Sequence, residues 1–300
     1  MKTKKIILFA LSCATLSIVL FNSCKKDRVP QDDYQSMDSF YTDNEEEEQE
    51  ITVDSGSGPC DIVAKKGTHF CVTRDMLRDA SGNDIPNYPF QIKVIELYSI
   101  KDMILRRQPS TSGTTILETS AEIKMRPFKN GNEAFLKTGR AYWMQTASLP
   151  STSSGMSAYY GITISGANDW TVATDTLSTV TASSTYYDVT PSITGYVSAA
   201  QLHLSTAAYT PITLSVPGTN TQNIQVFISF GNFKSVTRVI NLVSIPVPVG
   251  ETVTLVAFGK KQTNDFVLHQ QTFTVTAGQQ ITLTMSVVTE ANLLAALAAL

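Results

Sequence analysis

Ile281-Thr282-Leu283-Thr284-Met285-Ser286-Val287 puts an apolar side chain at every odd position and a hydroxyl at every even one. Successive side chains of a β-strand point to opposite faces, so this order makes one greasy face and one wet face. Ile212-Thr213-Leu214-Ser215-Val216 repeats the pattern, and Gln225 to Phe230 and Thr252 to Phe258 are further candidate strands. Turn formers separate them: Pro217-Gly218, Gly231-Asn232, Val249-Gly250 and Ala277-Gly278. Short strands that each carry one apolar face must pack sheet on sheet, which predicts an all-β sandwich fold.

The chain beyond Gly58 holds about 240 residues, more than one sandwich needs, and two are expected. The first is placed at 59–165 and the second at 166–288. Pro150 to Gly155 and a Ser/Thr-rich stretch around Thr174 to Ser184 both have loop composition, so the boundary falls anywhere between about 150 and 185. Two segments break the strand pattern. Ser99 can cap a short helix to Arg107, with Ile100, Met103 and Ile104 on one face and Asp102 at the positive end of its dipole. Thr289 can cap a helix over 289–300 whose Leu293, Leu297 and Leu300 align on one side. An alanine-rich helix this short is marginal alone, so it is expected to dock on its own domain.

The chain opens with Lys2, Lys4 and Lys5 and an apolar stretch from Ile6 to Phe21 that is interrupted by Ser12, Cys13, Thr15 and Ser17. A spanning helix needs roughly 20 consecutive apolar residues, so 1–23 reads as a removable signal peptide. Phe21-Asn22-Ser23-Cys24 resembles a loose lipobox, which implies that Cys24 becomes the lipid-bearing mature N-terminus. Two or more acyl chains hold durably to a bilayer where one does not. Residues 24–58 then carry 11 acidic side chains, among them Glu45 to Glu48, with few aliphatics and a closing Ser-Gly-Ser-Gly. High charge with little apolar content predicts a disordered acidic tether. Beyond Gly58 the balance is 15 acidic against 17 basic residues, which implies no nucleic-acid partner.

With Cys13 in the leader and Cys24 lipidated, Cys60 and Cys71 remain, and an exported even pair favours a disulfide. Strand-like Asp61 to Ala64 and Thr68 to Thr73, joined by Lys65-Lys66-Gly67, form a hairpin that brings the two together. His69, His203 and His269 are the only histidines and are read as exposed strand residues. No zinc-like spacing joins them to the cysteines, so no metal and no cofactor are expected. Glu96, Glu118 and Glu122 lie among Lys93, Lys101 and Lys124 and are read as surface pairs. No nucleophile elbow, phosphate loop or metalloprotease signature occurs. Trp143 and Trp170, near the doublets Tyr159-Tyr160 and Tyr186-Tyr187, are read first as core or rim packing and second as the candidate ligand-binding rings.

Arg78 to Pro86, Ile92 to Leu105, Pro109 to Gly113 and Leu117-Glu118-Thr119 together resemble a theme of Bacteroidota envelope proteins related to the ZU5-type β-sandwich. The Lys-Lys-Asp after Cys24 resembles the start of lipoproteins from the same group. The resemblance implies a scaffold or binding role by analogy. The expectation is a non-catalytic, lipid-anchored structural, adhesive or protein-interaction module of the cell envelope. It sits at the outer membrane, on either face. The alternative is a carbohydrate-binding lipoprotein that helps capture a glycan.

Overall fold

The computed structural model describes residues 34–55, 60–146, 155–216 and 221–300. Cys24 and the expected signal peptide lie outside the described residues. The fold is mainly β, arranged in packed sheets with a short C-terminal helix.

The first sandwich packs an eight-stranded sheet on a five-stranded one. The larger sheet is built around Thr115–Lys129, which pairs with Phe90–Leu97 on one side and Gly195–Leu202 on the other. Ser157–Ile164 and Ala167–Val172 extend it to one edge, and Gln49–Val53 closes the other. The smaller sheet runs from Thr179–Ala182 through Tyr187–Thr190, Trp143–Thr146 and His69–Cys71 to Ile62–Val63. Phe70, Met144, Tyr187 and Val189 of the smaller sheet meet Ile92, Val94, Ile123 and Met125 of the larger in one buried core. Ala167–Val172 and Gly195–Leu202 belong to this sheet, so the first sandwich reaches past residue 200 and the expected division at 165/166 is displaced. The composition of 150–184 is that of loops and short exposed strands, which hid the return of the chain to the same sheet.

The second sandwich is built on Gln225–Phe230, Thr252–Lys261 and Phe266–Thr274. Val226, Ile228, Leu255 and Ala257 face Ile212, Leu214, Ile281 and Leu283 in its core. The run from Ile281 to Val287 divides between two sheets. Gln280–Thr282 pairs in parallel with Thr213–Ser215, whereas Ser286–Val288 pairs with Phe266–Leu268. Ile281 and Leu283 are buried, and Val287 is 61% exposed.

Between the sandwiches lies a third layer made of helices. These are α1 (Asp38–Asn44), α2 (Ile100–Leu105) and α3 (Glu290–Ala298). Ser99 caps α2 by accepting from the Asp102 N–H, and Asp102 accepts from the Ser99 N–H in return. Met37, Phe40 and Tyr41 of the α1 segment, Met103 and Ile104 of α2, and Leu293 and Leu297 of α3 share one core. Ile95 and Leu97 join them from the first sandwich, and Phe227, Val256 and Phe258 from the second. The C-terminal helix therefore docks in the seam and touches α2 as well as its own sandwich.

The expected disordered tether over 24–58 is corrected over its described part. Tyr34–Gln35 pairs with Lys260 and Lys261 of the second sandwich, α1 fills the seam, and Gln49–Val53 pairs with the first sandwich. The acidic run meets bases on the body: Glu45 reaches Arg106 at 2.8 Å, Glu46 reaches Lys66 at 2.9 Å and Glu48 reaches Arg126 at 2.7 Å. Four buried apolar residues, Tyr34, Met37, Phe40 and Tyr41, supply the burial that offsets the entropy of ordering. This segment is a strap across both sandwiches.

Candidate functional site

Cys60 and Cys71 lie within disulfide-bonding distance, at the hairpin end of the five-stranded sheet. In the native protein alkylating reagent is expected to leave both unmodified, and reduction first should expose two thiols to the mass measurement. Alkylation without reductant would contradict the pairing. Cys24, the lipidation candidate, lies outside the described residues.

Trp170 is 1% exposed and donates its indole N–H to the Pro109 carbonyl at 2.9 Å. It packs with Leu117, Tyr159 and Ala200, and Tyr196 meets it edge to face at 6.3 Å. A ring so enclosed has no face for a ligand, so its candidacy as a binding residue is corrected. The cause is the 107–113 segment, which lies against Ala167–Val172 and accepts from both Trp170 and Asn168. Trp143 stands half-buried on the outer face of the five-stranded sheet, opposite Cys71. Its indole N–H and the Gln145 amide both donate to the same Asp188 oxygen at 3.1 Å.

The glutamates expected at the surface are corrected as well. Glu96 is fully buried and accepts from Gln49 Nε2 at 2.7 Å and from the backbone N–H groups of Lys66 at 2.7 Å and Thr68 at 3.0 Å. It joins the strap to the smaller sheet's first hairpin. Glu122, also fully buried, accepts from Ser110 Oγ at 2.9 Å, and its other oxygen has no hydrogen-bond partner among the described residues. Burial pushes Glu122 up to about 8, and the Ser110 bond opposes that rise only in part. Glu118 and His203 meet at 2.8 Å, with the other imidazole nitrogen 3.3 Å from Glu251 and the ring stacked on Phe233 at 4.2 Å. His203 is therefore a seam residue with a side chain 12% exposed, and not an open strand histidine. His269 is half-buried, its Nδ1 accepting from the Thr284 N–H at 3.1 Å. Neither was legible from alternation, because each sits where one sheet meets another element.

The seam also opens into a cleft of about 770 Å³ that the sequence did not single out. The strap contributes Glu45, the end of α2 Arg106 and Arg107, the first sandwich Ile164, Asn168 and Asp169, and the second Arg238, Ile240 and Ile245. Its size suits a ligand site. Arg106 is held by Glu45, and its other nitrogen donates to the Glu46 carbonyl at 2.6 Å. Arg107 adopts φ 52° and lies over the Tyr41 ring at 4.9 Å, with Asp38 at 3.1 Å. Asp169 accepts from the Gly113 N–H with both oxygens at 3.1 Å. Arg238 donates to Gln225 Oε1 at 3.1 Å and has no carboxylate partner among the described residues. Ile164 and Ile240 stand 54% and 59% exposed at the cleft. The signal for it lay in three arginines and three isoleucines from three separate stretches, at 106–107, 164 and 238–245, which the docking of the sandwiches brings together.

Among the described residues no cluster of three or more His, Cys, Asp or Glu side chains is placed to hold a metal, and no helix is long and apolar enough to cross a membrane. No family model, no curated protein and no solved structure matches this chain.

Proposed function

We propose that this protein is a non-catalytic protein-interaction module of a bacterial cell envelope, tethered to the outer membrane through lipid on Cys24. The observation that carries this reading is the strap. Tyr34 already pairs with the second sandwich, and even a fully extended chain from Cys24 to it reaches at most about 36 Å. The lipid therefore holds a stiff double sandwich close to the bilayer, where a flexible stalk through residue 58 would let it roam. A rigid body at fixed height is suited to meeting another envelope component.

Exposed aliphatics favour a protein partner over a glycan. Leu204, Val287, Ile240 and Ile164 are each more than half exposed, whereas among the described residues no aromatic ring is: Tyr209 is 42% and Phe135 40% exposed, and Trp143 is half-buried. The test is labelling of cells with radioactive fatty acid, comparing the natural protein with Cys24→Ser. Label and membrane association are both expected to disappear in the variant. Equal label in the two would overturn the anchor.

A further inference from the structure

We propose that the seam cleft is the docking site for an acidic, aliphatic-bearing peptide segment of a partner protein. This rests on the protein-interaction reading above and names the partner's chemistry. The cleft brings three guanidinium groups together, and they are not equally engaged. Arg106 is fixed by Glu45 and the Glu46 carbonyl. The Arg107 pair with Asp38 is solvent-exposed, with side chains 45% and 76% accessible, and water and salt weaken such a pair. Arg238 is exposed, and among the described residues its guanidinium donates only to the neutral Gln225 amide oxygen. Of the two carboxylates in the lining, Glu45 is occupied by Arg106, and Asp169 faces the Gly113 N–H with both oxygens. The lining sets three guanidinium groups against two carboxylates, a surplus of one positive charge, and a planar guanidinium matches a carboxylate in two-point contact.

The apolar lining decides what carries that carboxylate. Ile164 projects from one sandwich and Ile240 from the other, both more than half exposed, with Ile245 beside them. Branched aliphatic walls suit aliphatic side chains and offer no flat ring for a sugar. Tyr196, the one aromatic in the lining, already has Lys124 over its ring at 5.3 Å and Trp170 at its side. The wall also includes the beginning of Ala167–Val172, which is the edge strand of the eight-stranded sheet. An extended chain lying along such an edge alternates its side chains between surfaces, so acidic and aliphatic residues can reach Arg238 and the isoleucines in turn.

The experiment is fluorescence anisotropy on the full-length protein with three short labelled peptides, of alternating Asp and Leu, alternating Lys and Leu, and alternating Asp and Ser. The Asp/Leu peptide is expected to bind at least about tenfold tighter than either of the others. Arg238→Glu should remove that advantage and turn the preference toward the Lys/Leu peptide. Ile240→Asp and Ile164→Asp should each weaken Asp/Leu binding by about tenfold, while Val63→Asp on the outer face of the smaller sheet should leave it within about twofold. These side chains are exposed, so unchanged melting is the expected control. Equal affinity for acidic and basic peptides, or Asp/Leu binding unaffected by Arg238→Glu, would overturn the site. So would displacement of bound peptide by a sulfated oligosaccharide at lower concentration than by free Asp/Leu peptide, which would make the occupant a glycan. Any of these with fatty-acid labelling of Cys24 intact removes the cleft assignment alone. Loss of labelling with peptide binding intact removes the anchor alone.

Discussion

Phe40→Ala is expected to lower the stability of the whole protein by about 3–5 kcal/mol, the range for removing a buried aromatic ring. Phe40 is 3% exposed and lies against Phe258 at 6.0 Å and Phe266 at 5.5 Å, both in the second sandwich. Its neighbour Tyr41 packs on Phe258 as well, at 6.3 Å. The same strap pairs with the first sandwich from Gln49, nine residues later, so a cavity here loosens contacts to both. Urea denaturation gives the number directly. A change below about 0.5 kcal/mol, the size usual for a surface position, would mean that the strap does not hold the seam.

Glu122→Gln should remove most of the fall in stability between about pH 4.5 and pH 8. Below about pH 4.5 the folded and unfolded chains both keep the Glu122 proton, and the residue has no effect on the balance between them. From there to about pH 8 the unfolded chain releases the proton while the buried carboxyl keeps it. Stability then falls with rising pH, by up to about 1.4 kcal/mol per pH unit from this residue, and the loss is complete above about pH 8. Glutamine has no proton to lose and keeps the shape. The variant is expected to match the natural protein near pH 5 and to exceed it by several kcal/mol near pH 9. Parallel stability profiles for the two proteins across that range would show that Glu122 ionises freely where it stands.

The sheet architecture was legible because strand periodicity is a local property. Thr213–Ser215, Gln225–Phe230 and the cap at Ser99 follow from side chains within a few positions of one another. The seam was not, since its residues face partners more than a hundred positions away. Thr119 Oγ1 donates to the Lys234 carbonyl at 2.8 Å and the Ser110 N–H donates to the Val236 carbonyl at 2.8 Å. Such bonds leave no pattern in either stretch alone. The acidic strap shows how composition misleads. Its charge density reads as a solvated spacer, yet the near-neutral body holds Lys66, Arg106 and Arg126 where Glu46, Glu45 and Glu48 arrive. A sharper signal was present in Met37, Phe40 and Tyr41, whose i, i+3, i+4 spacing is that of an apolar helix face. Trp170 is buried as core packing requires, but its partner was not legible, because the Pro109 carbonyl that accepts from it lies 61 positions away.

The candidate site was the least legible part. Arg106, Arg238 and Ile164 come from a helix end, a strand end and a hairpin, and no spacing rule links them. What brings them together is the helical layer, with Leu293 and Leu297 of α3 closing it from the C-terminal side. The cleft and the strap are therefore one structural matter, and a loosened seam would deform the cleft before it melted either sheet.

Scanning calorimetry tests that coupling most directly. With α1, α2 and α3 buried between the sandwiches, the described body should unfold in a single transition whose calorimetric and van't Hoff enthalpies agree, and Phe40→Ala should shift that transition as a whole. Two separated transitions in the natural protein, with Phe40→Ala moving neither, would contradict a seam built from the strap and helices.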